Sequence, residues 1–259
     1  MPFDKSTLIY VNYTAKVKDT GEAIESTVEE DAKKLNIYDS ERRYEPRLVS
    51  IGEDWVLKGL DEEISKMQAG ERKTVELAPE KAWGERDPSM LRMIPVRKFG
   101  EKAGDLAVGD SVEVDNRVGV VRFIGSGRAQ VDFNHRLAGK TLIYDVEVVR
   151  KVETDDEKVH SLIRRRFPGE LGDAVKFTLD PTELTVEVPE VAFMAEGLQV
   201  TKRGIANDVM HFLPGVKRIT FNEVYAKKGE EKETKAEAGA EAPAQTEEKK
   251  EEAPAGPST

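Results

Sequence analysis

The chain has no cysteine, which removes disulfide frameworks, thiol nucleophiles and thiolate metal sites at a stroke. A cysteine-free chain suits a reducing cytoplasm. Histidine is nearly as scarce: His135, His160 and His211 are scattered, with no ligand-spaced cluster and no histidine-rich tail, so neither a metal site nor a cofactor is expected. There is no excess of positive charge. The formal net charge is −10, and the overall field disfavours nucleic acid as a partner, though a local basic patch is compatible with it. No apolar stretch approaches the length of a membrane span, and the start, MPFDKSTLIY, lacks a basic segment followed by an apolar core. A cytoplasmic protein with no membrane partner is the expectation. Gly104, Gly109, Gly119, Gly125 and Gly127 serve turns, because no phosphate-loop spacing surrounds them.

What is present divides the 259 residues into several units. Residues 1–153 carry many short strand patterns. Ser6 to Lys18 alternates, Asp19-Thr20-Gly21-Glu22 turns, and Glu71 to Leu77 alternates again. Between them Leu60, Ile64 and Met67 fall on one helical face, and Gly70 follows as a stop signal. A twisted antiparallel sheet over a single short helix accounts for this pattern. A new unit opens at Thr154-Asp155-Asp156-Glu157, a capping start to a helix running to Phe167. Strands at Val175 to Leu179 and Leu184 to Val188, a helix around Glu190 to Phe212 and a strand at Arg218 to Tyr225 complete it. The fold class is therefore α+β, with the C-terminal unit ordered helix, strand, strand, helix, strand. From about Gly229 onward no branched aliphatic or aromatic residue occurs, so residues 227–259 are expected to form a disordered acidic tail.

The run Val56-Leu57-Lys58-Gly59-Leu60-Asp61-Glu62-Glu63, then Met67-Gln68-Ala69-Gly70-Glu71-Arg72-Lys73 and Pro79-Glu80-Lys81-Ala82-Trp83-Gly84, resembles the signature of FKBP-type peptidyl-prolyl cis/trans isomerases. Val11-Asn12-Tyr13-Thr14, Gly21 through Thr27 and Leu142 through Val148 look like the first strand, acidic loop and last strand of that family. About fifty residues separate the Trp83 turn from the last strand. With Ile94-Pro95, Gly109-Asp110 and Asn134-His135-Arg136-Leu137-Ala138-Gly139 they are similar to the SlyD-like branch, whose inserted domain binds unfolded chains. The unit after residue 154 is similar to the appended domain of long archaeal members, which implies a homodimer through that domain. The resemblance thus implies an isomerase domain at 1–87 plus 135–153, an inserted chaperone domain at 88–134 and a C-terminal domain at 154–226.

Rotation about a prolyl bond crosses a barrier of about 18–20 kcal/mol, and what lowers it is tighter binding of the twisted amide than of either planar isomer. Apolar walls and a few fixed donors are enough. By the resemblance, Tyr13, Ile24, Val56, Leu57, Leu60, Trp83 and Tyr144 would line a proline-sized cavity. The Leu57 N–H and the Trp83 indole N–H would act as donors, and Glu25 would stand as a carboxylate at the rim. His135 belongs to a turn motif and is expected to make a structural hydrogen bond. This sequence departs from the family pattern at three places: Leu60 where Trp is common, Ile24-Glu25 where Phe-Asp is usual, and Trp83 where Tyr is usual. In the insert, part of the apolar set must form a core. Met90, Met93, Ile94, Val121 and Phe123 are taken as its surface for extended proline-containing and unfolded polypeptides. The alternative is a holdase or interaction scaffold whose departures at Ile24, Leu60 and Trp83 have abolished catalysis.

Overall fold

The computed structural model describes residues 2–167 and 169–225, so the expected tail at 227–259 lies outside the described residues. The N-terminal body is a five-stranded antiparallel sheet. Its long strands β1 (Leu8–Val17) and β9 (Leu142–Lys151) pair along their length, with Tyr13 opposite Val146 and Ala15 opposite Tyr144. β4 (Arg72–Leu77) adds on the far side of β9. The other edge of β1 is shared by β2 (Ala23–Ser26) and β3 (Arg47–Ser50).

Alternation in β1 sends Ile9, Val11, Tyr13, Ala15 and Val17 to one face, where they meet Tyr144, Val146, Val75 and Leu77. The helix Lys58–Ile64 covers that face with Leu60 and Ile64 and ends before the expected Met67, which is nonetheless buried in the following turn. The expected single helix has a companion, α1 (Glu29–Lys34), so we number the second one α2. α1 buries only Ala32, too little apolar surface to leave a periodic signal, and is supported by charge: Glu29, Glu30 and Asp31 lie in its first turn and Lys33 and Lys34 in its last.

Residues 88–134 build a separate antiparallel sheet in the order β5-β8-β7-β6, from β5 (Leu91–Pro95), β6 (Ser111–Val114), β7 (Arg117–Gly125) and β8 (Arg128–Asp132). Its core holds Ile94, Val112, Val121, Ala129 and Val131. Two segments of chain join it to the main sheet, and Asn134 ties them together: its Oδ1 accepts from Asp87 N–H at 2.8 Å and its Nδ2 donates to Asp87 C=O at 3.0 Å. Buried Asp132 adds ion pairs with Arg86 and, at 3.3 Å, Arg122.

The C-terminal unit begins with α3 (Asp155–Arg166), whose Thr154 and Glu157 form the expected capping box. The short α4 (Glu170–Ala174) follows, then β10 (Lys176–Leu179) and β11 (Glu183–Val188) in antiparallel pairing. The helix expected from Glu190 is instead a 3-10 turn at Glu190–Ala192 and a separate α5 (Leu198–Phe212). Gly197 sits between them at φ 76°, a left-handed conformation that a continuous helix cannot contain. α5 is the crossover that makes β12 (Arg218–Glu223) parallel to β11. This unit docks on the back of the main sheet: Leu8, Leu48 and Val152 share a core with Val159, Leu162 and Ile205, and Tyr10 Oη donates to Ser161 Oγ at 2.9 Å.

Candidate functional site

Opposite its docked back, the sheet presents Tyr13 and Tyr144 from adjacent antiparallel strands. Their ring centroids are 5.7 Å apart with the planes inclined at 51°, and both rings are buried. Leu60, 2% exposed, lies in the same cluster, while Ile24, Val56 and Leu57 pack against it half-buried. Each comes from a different piece of local structure. Ile24 and Glu25 sit on β2, Leu57 is the N-cap of α2, and Leu60 is one turn inside that helix. The Leu57 N–H precedes the helix ladder and donates to no acceptor among the described residues.

Trp83 is placed by a tight turn. Gly59 on α2 approaches the 3-10 turn Pro79–Lys81 so closely that a Cβ there would lie 2.7 Å from Lys81 Cβ, and Lys81 Nζ donates to Glu62 at 2.8 Å. Gly84 N–H then donates to Pro79 C=O at 2.8 Å, and Gly84 C=O accepts from Gly139 N–H at 2.9 Å. Trp83 is 44% exposed and stands outside the tyrosine cluster, stacked on His135 with centroids 3.9 Å apart and planes 18° from parallel. His135 Nδ1 accepts from Leu137 N–H at 3.3 Å. Burial, reinforced by the neighbouring Arg136, holds this imidazole below the usual histidine range, so it is neutral at pH 7. Thus the expected turn residue also backs the expected donor.

Two arginines complete the site and were not among the expected residues. Arg47, at the start of β3, donates from Nη1 to Tyr13 Oη at 2.7 Å, and Arg42 Nη2 lies 3.5 Å from Glu25 Oε2. Glu25 is therefore ion-paired, not a lone carboxylate. Burial first, and then the negative charge of Glu25, push the Tyr13 phenol above its ordinary range, and the same two causes push Tyr144 up further. Both phenols are neutral at physiological pH, and the carboxylate beside them, Glu25, is held in its ion pair with Arg42. The arrangement offers shape and hydrogen bonding. Among the described residues no group of three His, Asp or Glu side chains is placed to hold a metal ion.

In the insert the five residues taken as its surface divide. Ile94 and Val121 are buried core, because alternation on β5 and β7 turns them inward against Ala129 and Val131. Met90 is half-buried and its sulfur accepts from Arg117 Nη2 at 3.0 Å. Met93 and Phe123 are exposed, 45% and 56%, and both pair with Gln130 from opposite sides, so the three form a row across the sheet. The Phe123 ring also lies where a Cβ on Gly125 would be.

Residues 3–149 match the family model of FKBP-type peptidyl-prolyl cis-trans isomerases, and residues 155–226 match a model described as FKBP26 C-terminal. A short-type peptidyl-prolyl cis-trans isomerase of Methanocaldococcus jannaschii is 32% identical over 144 residues, covering 56% of this chain and 90% of the relative. The FKBP-type isomerase SlyD of Vibrio cholerae is 28% identical over 170 residues, covering 64% of this chain and 77% of its own length. Among solved structures, the N-terminal domain of FKBP42 from Arabidopsis thaliana aligns at 18% identity over 59% of this chain and 77% of that one, with a TM-score of 0.32, too slight a likeness to argue from. With more than half its length matched by the family model, the chain belongs to the FKBP-type peptidyl-prolyl cis-trans isomerases.

Proposed function

We propose that prolyl exchange takes place at the Tyr13–Tyr144 cluster and that the insert feeds it with unfolded polypeptide. The carrying observation is the convergence of Tyr13, Leu60 and Tyr144 in one buried apolar cluster beside the unspent Leu57 N–H. A proline ring takes the apolar floor. The Leu57 N–H binds a substrate carbonyl, and the twisted amide, having lost its resonance, fits these walls better than either planar form. Trp83, held by His135 outside the cluster, offers its indole N–H to a longer substrate. The ion pair of Glu25 with Arg42 and the Arg47–Tyr13 hydrogen bond keep the rim rigid.

The division of labour assigns exchange to residues 1–87 plus 135–153, capture of proline-containing and unfolded chains to 88–134, and self-association to 154–226. The row Met93–Gln130–Phe123 supports the capture role, since exposed apolar side chains on a sheet face hold extended segments loosely. A loosely bound client presents its prolyl bonds at high local concentration to the neighbouring site. Self-association is favoured by Val191, Met194 and Tyr225, exposed at 77%, 95% and 76% and gathered by the packing of Tyr225 on Phe193 at 4.9 Å. A cytoplasmic site of action belongs to the same reading.

A protease-coupled assay on a short proline peptide, run beside refolding of a proline-limited protein, tests this. Met93→Ser with Phe123→Ser is expected to leave the peptide rate unchanged and slow the refolding rate about tenfold or more. Equal losses in both would end the division of labour. No acceleration by the wild type, with Tyr13→Ala changing nothing, would remove the catalytic site and leave a holdase.

A further inference from the structure

Where the C-terminal unit docks on the main sheet, a cleft of about 760 Å³ opens that shares Tyr13, Arg42 and Arg47 with the exchange site and whose other arginines have no role above. Seven of the residues that line it are arginines. Arg42, Arg43 and Arg47 come from the segment leading into β3, Arg150 from the end of β9, and Arg164, Arg165 and Arg166 from the last turn of α3. The carboxylates in contact with these seven guanidinium groups are five: Glu25, Glu45, Glu157, Asp173 and Asp208. Positive charge is thus left over, in a protein whose net charge is −10. The crowding is felt within the cleft, for burial and the nearby Arg166 and Arg47 hold the Arg165 guanidinium below its ordinary range against the pull of Asp208. Folding has placed like charges together that sequence distance separates, and an anion would relieve them.

Position identifies the anion. Tyr13 also lines the cleft, and Arg47 holds its Oη, so one end of the cleft is the rim of the proline site itself. A chain bound there by its proline has a path onto the arginines. Of the tyrosines that line the cleft, Tyr13 is buried and Tyr10 carries the Arg150 guanidinium at 4.6 Å, and Arg165 lies 3.7 Å over nearby Trp55, an arrangement that disfavours stacking of nucleobases. Guanidinium forks match side-chain carboxylates. We propose that the cleft is a secondary substrate site for acidic polypeptide: Asp or Glu residues flanking the client's prolyl bond lie along the arginines while the proline occupies the adjoining cluster. This rests on the exchange site proposed above.

The test uses the full chain and two short proline peptides that differ only in a flanking run of four Glu or four Gln, placed on either side of the proline. In about 20 mM salt the Glu-flanked peptide is expected to have a kcat/KM about fivefold higher, the advantage vanishing near 300 mM as screening tightens. Arg150→Gln with Arg164→Gln is expected to bring the ratio below about two without changing the Gln-flanked rate, which also reports an intact fold. The Arg→Lys pair should keep most of the preference. Equal rates at low salt, or a preference that survives the double Gln variant, would overturn the proposal. Anisotropy with a labelled, proline-free deca-glutamate separates the two readings: binding lost in the double variant while neither peptide is isomerised sinks the exchange site and keeps the cleft, and isomerisation without binding or preference does the reverse. A single-stranded oligonucleotide of equal charge binding about tenfold more tightly, at the same arginines, would overturn the assignment in favour of nucleic acid.

Discussion

Gly59→Ala tests how the exchange site is held together. A methyl group at this position would sit 2.7 Å from Lys81 Cβ, 2.9 Å from Leu77 Cδ2 and 3.0 Å from the Lys81 carbonyl. Ordinary contact begins near 3.5 Å, so the turn Pro79–Lys81 must retreat by about 1 Å, and two of the three obstacles are the base of a side chain and backbone that cannot swing aside. Ala gains roughly 1 kcal/mol over Gly in a helix, whereas overpacking of this kind costs about 1–3 kcal/mol. The expected net is a loss of about 1 kcal/mol in urea unfolding. Catalysis should suffer more than stability, because Trp83 lies two residues beyond Lys81 and a displacement of about 1 Å can lower kcat/KM by tenfold or more. Gly104→Ala, with nothing within 4 Å of the new methyl group, is the control and should alter neither quantity. If Gly59→Ala retains full stability and full kcat/KM in the protease-coupled assay, close approach of α2 is not what positions the Trp83 turn.

Arg47→Met removes the donor to buried Tyr13 Oη, and a stability loss of about 1–3 kcal/mol with a fall in kcat/KM is expected. Combining it with Tyr13→Phe should cost little beyond either single change, and full additivity in that cycle would dissociate the two side chains. His135 has a folded pKa below its unfolded value, so its neutral form stabilises the fold; that contribution is present above the unfolded pKa and is lost as pH falls through the folded one. Trp83 fluorescence in a Trp55→Phe background should therefore change only on the acid side of the usual histidine range, and a transition at or above that range would contradict the assignment. Met194→Asp with Tyr225→Asp should convert dimers to monomers in sedimentation if self-association uses the patch around Phe193, and persistent dimers would move the interface elsewhere.

Much of this protein is legible from its residues in order. β1, β4 and β9 announce themselves by alternation, and α3 by the Thr154–Glu157 box, because these signals are local and repeat with the period of the structure. Short elements escape that logic. β3 offers only Leu48 and Val49, and α1 buries only Ala32. The insert shows the limit most clearly: Ile94 and Met93 are neighbours of similar character, yet one is core and the other exposed, a choice made by the pairing of β5 with β8.

Residue order carries the α+β class through its local periodicities, and the resemblance of its motifs to FKBP-type isomerases carries the family and the residues expected around a proline. Tertiary structure decided the electrostatics. Glu25 reads as isolated until Arg42 folds against it, Arg47 has no visible task until it meets Tyr13, and Arg43, Arg150 and Arg164 lie far apart in the chain until docking of the C-terminal unit lines one cleft with them. Coulomb interactions depend on distance through space, and only the fold sets that distance.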